Sequence, residues 1–195
     1  MTTPQPDAQA LHEAIISGDP ARSMPALAKL RDLPDEQAIP MLLEGLEQSQ
    51  FMVRSLSCAG LGIKRNEQGW QALVSALQGD EDANVRAEAA NSLVNYGVDR
   101  AWPLLKTSFE SDAQWLVRCS VLSALAEQER IPGSWLLELA TMAIADQDGT
   151  VRAGGAEILA RLVRENHEAA RHLLQGLQSD PDHRVAAAAL DGLQQ

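Results

Sequence analysis

Apolar residues recur along this chain with helical spacing, and the pattern itself repeats. Four Val-Arg pairs, Val53-Arg54, Val85-Arg86, Val117-Arg118 and Val151-Arg152, are followed by a fifth valine, Val185, whose arginine stands one place earlier at Arg184. The valines are 32, 32, 34 and 34 residues apart, and eight residues after each comes a leucine: Leu61, Leu93, Leu125, Leu159 and Leu193. An offset of that length is ~80° around a helix, so each valine shares a face with its leucine. A small or apolar residue (Ser57, Ala89, Val121, Gly155, Ala189) fills the space between the two. A second periodic segment precedes each pair, as in Ile39-Leu42-Leu43-Leu46 and Trp70-Leu73-Val74-Leu77. Short acidic turns separate the segments: GDEDAN, ESDAQ, ADQDGT and SDPDH. Asp82, Asp148 and Asp182 stand three places before the valine. There a carboxylate accepts N–H bonds at a helix start and meets its positive dipole.

The predicted unit is helix A, tight turn, helix B and a short connection. Neither helix can bury its apolar stripe alone, so stacking of successive units completes one core. The expectation is an all-α fold, an α-α superhelix forming a right-handed solenoid of about six helical hairpins. One domain spans 1–195, with units near 8–34, 35–65, 66–98, 99–130, 131–166 and 167–195. The first unit is degenerate, its turn reduced to Asp19-Pro20-Ala21-Arg22. Trp70, Trp102 and Trp135 open the apolar stripe of their A helices and are expected in the core. Pro40 and Pro103 are expected in a first helical turn, where no N–H is needed.

Composition narrows the choice of partner. Hydrophobic residues make up 45% of the 195, but aromatics only 4%, which suits helices packed through small and straight side chains. With 16 basic and 27 acidic residues the net charge is −11. That field repels phosphate backbones and anionic lipid, so neither nucleic acid nor a membrane surface is expected as a partner. The longest apolar stretch, Trp135 to Ala145, holds Glu138 and is too short to span a bilayer. The opening MTTPQPDAQ has no basic and apolar pair of regions of the kind a signal peptide needs. Cys58 and Cys119 lie in separate segments without a CxxC, so a reducing, cytoplasmic setting is expected.

A turn with Asp, then Val-Arg, then Ala and Leu at fixed offsets resembles the HEAT family. More narrowly it resembles the short HEAT-like repeat named after phycobilisome lyases. The run from Asp112 through Trp115, Val117, Arg118 and Cys119 to Leu125 is most similar to cyanobacterial members. This resemblance implies a protein-interaction adaptor or chaperone-like scaffold with a client among phycobiliproteins, in assembly or degradation of phycobilisomes. The alternative it implies is one subunit of a heteromeric bilin lyase, working with a second HEAT-repeat subunit and a linear tetrapyrrole. No lyase motif maps onto residues of this chain, so no catalytic residue is assigned and no cofactor is expected on the adaptor reading.

The candidate positions follow from helix geometry. B helices line the inner face of such stacks, and residues pointing away from the packed stripe are the partner-facing set: Glu88, Asn91, Asn95, Ser123, Glu127 and Glu157. None of the three glutamates is expected to be buried, and together they should make a negative groove. Phe51 and Trp115, two places before their valines in otherwise polar turns, form a second candidate edge. Leu190 lies on the flank of the last helix, where a further unit would stack, and is expected to dock a partner or a second copy. Arg54, Arg86, Arg118 and Arg152 are read as a structural ladder to Asp80, Asp82, Asp112, Asp146 or Asp148. His12, His167, His172 and His183 have no ligand spacing, so no metal is expected.

Overall fold

The computed structural model describes residues 7–194, and the described residues form six helical hairpins without a strand. They are α1 (Ala8–Ile15) with α2 (Pro20–Lys29), α3 (Asp35–Leu46) with α4 (Phe51–Ile63) and α5 (Glu67–Gly79) with α6 (Ala83–Leu93). Next come α7 (Val98–Ser111) with α8 (Trp115–Ala126), α9 (Gly133–Ala143) with α10 (Gly149–Arg164) and α11 (Glu168–Gly176) with α12 (His183–Gln194). The all-α repeat fold expected from the valine spacing is the fold observed. The chain divides into two compact units, Met1–Leu105 and Lys106–Gln195, the division falling inside α7.

In both units the repeat positions supply the core. Val53, Val85, Val117, Val151 and Val185 are all at most 1% exposed, and Leu61, Leu93, Leu125 and Leu159 are at 0%. The small residue between them is a requirement of packing. In the second unit a Cβ on Gly155 would come within 2.8 Å of the Ala143 Cβ and 3.1 Å of the Ile144 nitrogen. Gly155 thus allows α10 to touch α9 closely, which explains why a poor helix former sits mid-helix.

Acidic turns start the B helices as the sequence predicts. Asp82 accepts the Asn84 N–H at 2.8 Å, Asp148 that of Thr150 at 2.7 Å and Asp182 that of Arg184 at 2.9 Å. The prolines differ from expectation. The A helices begin five residues earlier, at Asp35 and Val98, so Pro40 and Pro103 lie inside α3 and α7 rather than in a first turn. The apolar stripe marks only where a helix meets the core, and the solvent-facing first turns, with Asp35, Glu36 and Asp99, carry no such mark. Pro40 therefore removes an interior bond, the one its N–H would have given the Glu36 carbonyl.

Phe51 and Trp115 are the first residues of α4 and α8 rather than members of the turns before them. Trp70 and Trp102 are buried, as expected, whereas Trp135 is half-buried. In the first unit the Arg100 guanidinium lies 3.8 Å over the Trp70 ring while bonding both carboxylate oxygens of Glu67 at 2.7 and 2.9 Å. The Tyr96 ring stands 5.5 Å from that of Trp70, and its hydroxyl donates to the Leu61 carbonyl at 2.8 Å. Trp70 is thus engaged by Tyr96 of its own hairpin and by Arg100 of α7, and Tyr96 ties that hairpin to α4.

Candidate functional site

The arginine after each valine builds the ladder the sequence suggests, with one refinement of partner. Its carboxylate stands five residues before the next unit's valine. In the first unit Arg54 gives Nε and Nη2 to the two oxygens of Asp80 at 2.8 and 2.9 Å. In the second, Arg118 grips Asp146 at 2.6 and 2.8 Å, and Arg152 grips Asp180 at 2.9 Å through both nitrogens. Each Nη1 turns back to its own unit's turn: Arg54 to the Gln48 and Ser49 carbonyls, Arg118 to that of Asp112 and Arg152 to those of Asp146 and Gln147. Arg86 likewise donates to the Asp80 and Glu81 carbonyls.

The same aspartates then organise the following turn, because Asp80, Asp146 and Asp180 accept the backbone N–H two residues on at 2.8–2.9 Å. For Asp80 and Asp146 burial pushes the carboxyl pKa up, but the arginine and backbone hydrogen bonds outweigh it and hold it below the ordinary value. Asp180 is lowered chiefly by the Arg152 hydrogen bonds. Asp180 did not stand out in the sequence, although the five-residue offset before Val185 marks it. The ladder also has matched ends. Gln48 stands where Asp80 would, and Ser23 replaces the arginine one hairpin earlier, donating to the Ala14, Ile15 and Asp19 carbonyls. Ala186 follows Val185, while the displaced Arg184 folds back onto Asp182.

The ladder does not use the positions expected on the inner face. In the first unit Glu88 and Asn91 are half-buried on α6, and Asn95 is exposed in the 3-10 turn Val94–Tyr96 that follows it. Burial pushes the Glu88 carboxyl above its usual value, and hydrogen bonds from Asn91 and Ser92 oppose that shift. Glu88 is thus less open than the exposure expected from its helical register. In the second unit Ser123, Glu127 and Glu157 are exposed. Beside them Arg161 donates to the Ala126 carbonyl at 2.6 Å, tying α10 to the end of α8.

The remaining candidates are placed simply. Phe51 and Trp115 are exposed, as is Leu190 on α12. Cys58 is buried, and burial with the nearby Glu88 charge pushes its thiol up to about 12. Cys119 is half-buried, and its thiol is pushed up to about 11 by burial and the Asp148 charge. Neither thiol is a ready nucleophile at neutral pH. Among the described residues no group of His, Cys, Asp and Glu is arranged to hold a metal ion, and no helix is long and apolar enough to cross a membrane.

Comparison with known proteins agrees with this architecture. A search of curated proteins returns no match. Among solved structures, human deoxyhypusine hydroxylase in complex with glycerol is similar, with 17% identity, a TM-score of 0.50 and 96% of each chain covered. At that identity the likeness concerns the fold alone. A family model described as HEAT repeats matches residues 39–126, which include the first three Val-Arg units and their connecting helices. Residues 39–126 therefore match HEAT repeats, within an all-α helical-repeat fold.

Proposed function

We propose that this chain is an interaction scaffold, an adaptor or chaperone-like module that holds a protein client. The observation that carries this reading is a division of labour within each repeat. The valine, leucine and arginine positions are consumed by core and ladder, and no buried side-chain nitrogen or oxygen among the described residues lacks a partner. The positions expected on the inner face stay outside the fully buried core and differ between repeats, from Leu56 to Glu88 to Ser120 to Gly154. Variable side chains on a fixed frame are what recognition of another protein's surface requires.

The finer reading, a phycobiliprotein client, rests on the resemblance of the Asp112–Leu125 run to cyanobacterial members of the phycobilisome lyase repeat family. Purified chain titrated with an apo-phycobiliprotein subunit in a calorimeter should give saturable binding. The visible spectrum of phycocyanobilin should stay unchanged when the chain is added alone. Thioether formation on the apo-subunit without any second protein would replace this reading with that of a lyase.

A further inference from the structure

Helix α4 is apolar on two opposite faces. Val53, Ser57 and Leu61 on one face are buried at 1% exposure or less. On the other face Met52, Leu56 and Ile63 are exposed at 38, 36 and 59%, with half-buried Ala59 between them. At ~100° per residue these four positions fall within an arc of ~60° and make one stripe ~16 Å long. The sister helices show that the fold does not ask for it. Counted from the repeat valine, the same positions read Asn84, Glu88, Asn91 and Asn95 at α6. At α8 they read Leu116, Ser120, Ser123 and Glu127, and at α10 Thr150, Gly154, Glu157 and Arg161. An apolar stripe that packing does not need and the described chain does not cover marks an interaction surface.

The surroundings of the stripe say what fits. Its Leu56, Ala59 and Ile63 form one wall of a groove of about 250 Å³ whose other wall is Leu27, Ala28, Leu30 and Arg31, from α2 and the 3-10 turn Leu30–Asp32 after it, and Met52 continues the stripe beyond the groove. The stripe's spacing of four, three and four residues is that of a heptad seam. Its complement is a second helix with apolar side chains at the same period. One end of the groove is basic. Lys64 is held there by the Leu33 carbonyl at 2.6 Å and by Asp35 at 3.2 Å, whereas the exposed Arg31 side chain makes neither an ion pair nor a hydrogen bond among the described residues. In a chain of net charge −11, an uncommitted cation at the end of an apolar groove selects an acidic group on the occupant. A second copy fits less well. Two-fold antiparallel pairing of α4 would set Arg31 against the partner's α4 N-terminus, whose first turn carries no acid.

We infer that the groove between α2 and α4 docks an amphipathic helix of a partner protein. Its apolar seam lies on Met52, Leu56, Ala59 and Ile63, and an acidic residue at the end of that seam meets Arg31. This inference deepens the scaffold reading and rests on it.

The probe is a fluorescein-labelled synthetic helix with leucine at heptad positions a and d and glutamate at one end of the seam. It is titrated with the full chain by fluorescence anisotropy at physiological salt. A peptide of the same composition with scattered leucines should bind roughly tenfold more weakly or worse, and Ile63→Glu should weaken the seam peptide by a similar factor. Arg31→Glu should weaken the glutamate peptide several-fold and favour a version with lysine at that end. Circular dichroism should show Ile63→Glu folded, and methyl NMR of the unmutated chain should show shifts at Leu56 and Ile63 on titration. Unchanged affinity in Ile63→Glu, or methyl shifts confined to other residues, overturns the inference. So does a wild-type dimer that light scattering shows to be monomeric in Ile63→Glu, which would give the groove to a second copy. The two readings fail separately. A purified client that binds Ile63→Glu as tightly as wild type sinks the groove and spares the scaffold. Seam-peptide binding that is lost in Ile63→Glu, in a chain that binds no protein client, keeps the groove and sinks the scaffold.

Discussion

Replacing Asp146 by alanine should destabilise the chain far more than removing an ordinary surface ion pair. The wild-type carboxylate accepts two hydrogen bonds from Arg118 and a third from the Asp148 N–H. The Arg118 and Asp146 side chains are only 14% and 10% exposed. An exposed pair contributes ~0–1 kcal/mol, whereas taking one partner from a buried pair costs ~3–5 kcal/mol because the other charge is stranded. This pair is mostly enclosed, but Arg118 keeps one bond to the Asp112 carbonyl after the substitution. A loss of about 3 kcal/mol follows, toward the lower end of the buried range. For a chain of this length that corresponds to a fall in Tm of roughly 6–12 °C. The assay is thermal and urea unfolding followed by circular dichroism at pH 7. Arg184→Ala serves as the control, because its side chain is 52% exposed and pairs only within its own turn and with Thr150. If Asp146→Ala and the control shift Tm alike, the ladder is surface decoration. The double variant Arg118→Met with Asp146→Ala should be less destabilised than the sum of the two single variants, since neither charge is then left alone.

Three further outcomes follow from the same structure. The ladder aspartates have folded-state pKa values below the ordinary carboxylate value, so their contribution is complete above the unfolded pKa of ~3.9 and is lost as pH falls below it. Urea midpoints should therefore hold between neutral pH and about 5 as far as these groups are concerned and then drop, with a shallower acid limb in Asp80→Asn. Glu88 has the opposite sign: its raised pKa favours the folded state at low pH and opposes it as pH rises past the unfolded value. Glu88→Gln should thus leave Tm at pH 7 equal or higher, and a clear fall would mean that the charged form is needed. Gly155→Val should cost ~1–3 kcal/mol by forcing α10 off Ala143 and Ile144, whereas Leu190→Glu should leave the melting curve unchanged.

How far the sequence was legible depended on whether a position repeats. Val53, Val85, Val117, Val151 and Val185 share one environment five times, so a fixed offset to leucine was enough to place the core and the order of the helices. The arginine ladder was legible for the same reason, although only its geometry shows that the acceptor lies five residues before the next valine. The starts of α3 and α7 were not legible, since their first turns face solvent and leave no apolar signature, and the two prolines were accordingly placed too early. The enclosure of Glu88 was hidden as well. It depends on packing and on the hydrogen bonds from Asn91 and Ser92, neither of which helical register alone gives.

The candidate site is harder to read because recognition uses the positions that do not repeat. Helical register assigned Glu88, Glu127 and Glu157 to one inward-facing set, and equal register implied equal roles. The structure separates them: Glu88 is half-buried and hydrogen-bonded, while Glu127 and Glu157 are exposed. The informative contrast is instead between sister helices at one repeat position. Leu56 in α4 stands where Glu88 stands in α6, and Ile63 where Asn95 stands just beyond it. Both solutions satisfy the fold, since α4 and α6 bury the same valine and leucine at 1% exposure or less. A difference that stability does not explain, at a position open to solvent, is where selection for a partner can act. That reasoning places the weight on the apolar stripe of α4 rather than on the acidic positions of the helices that follow it.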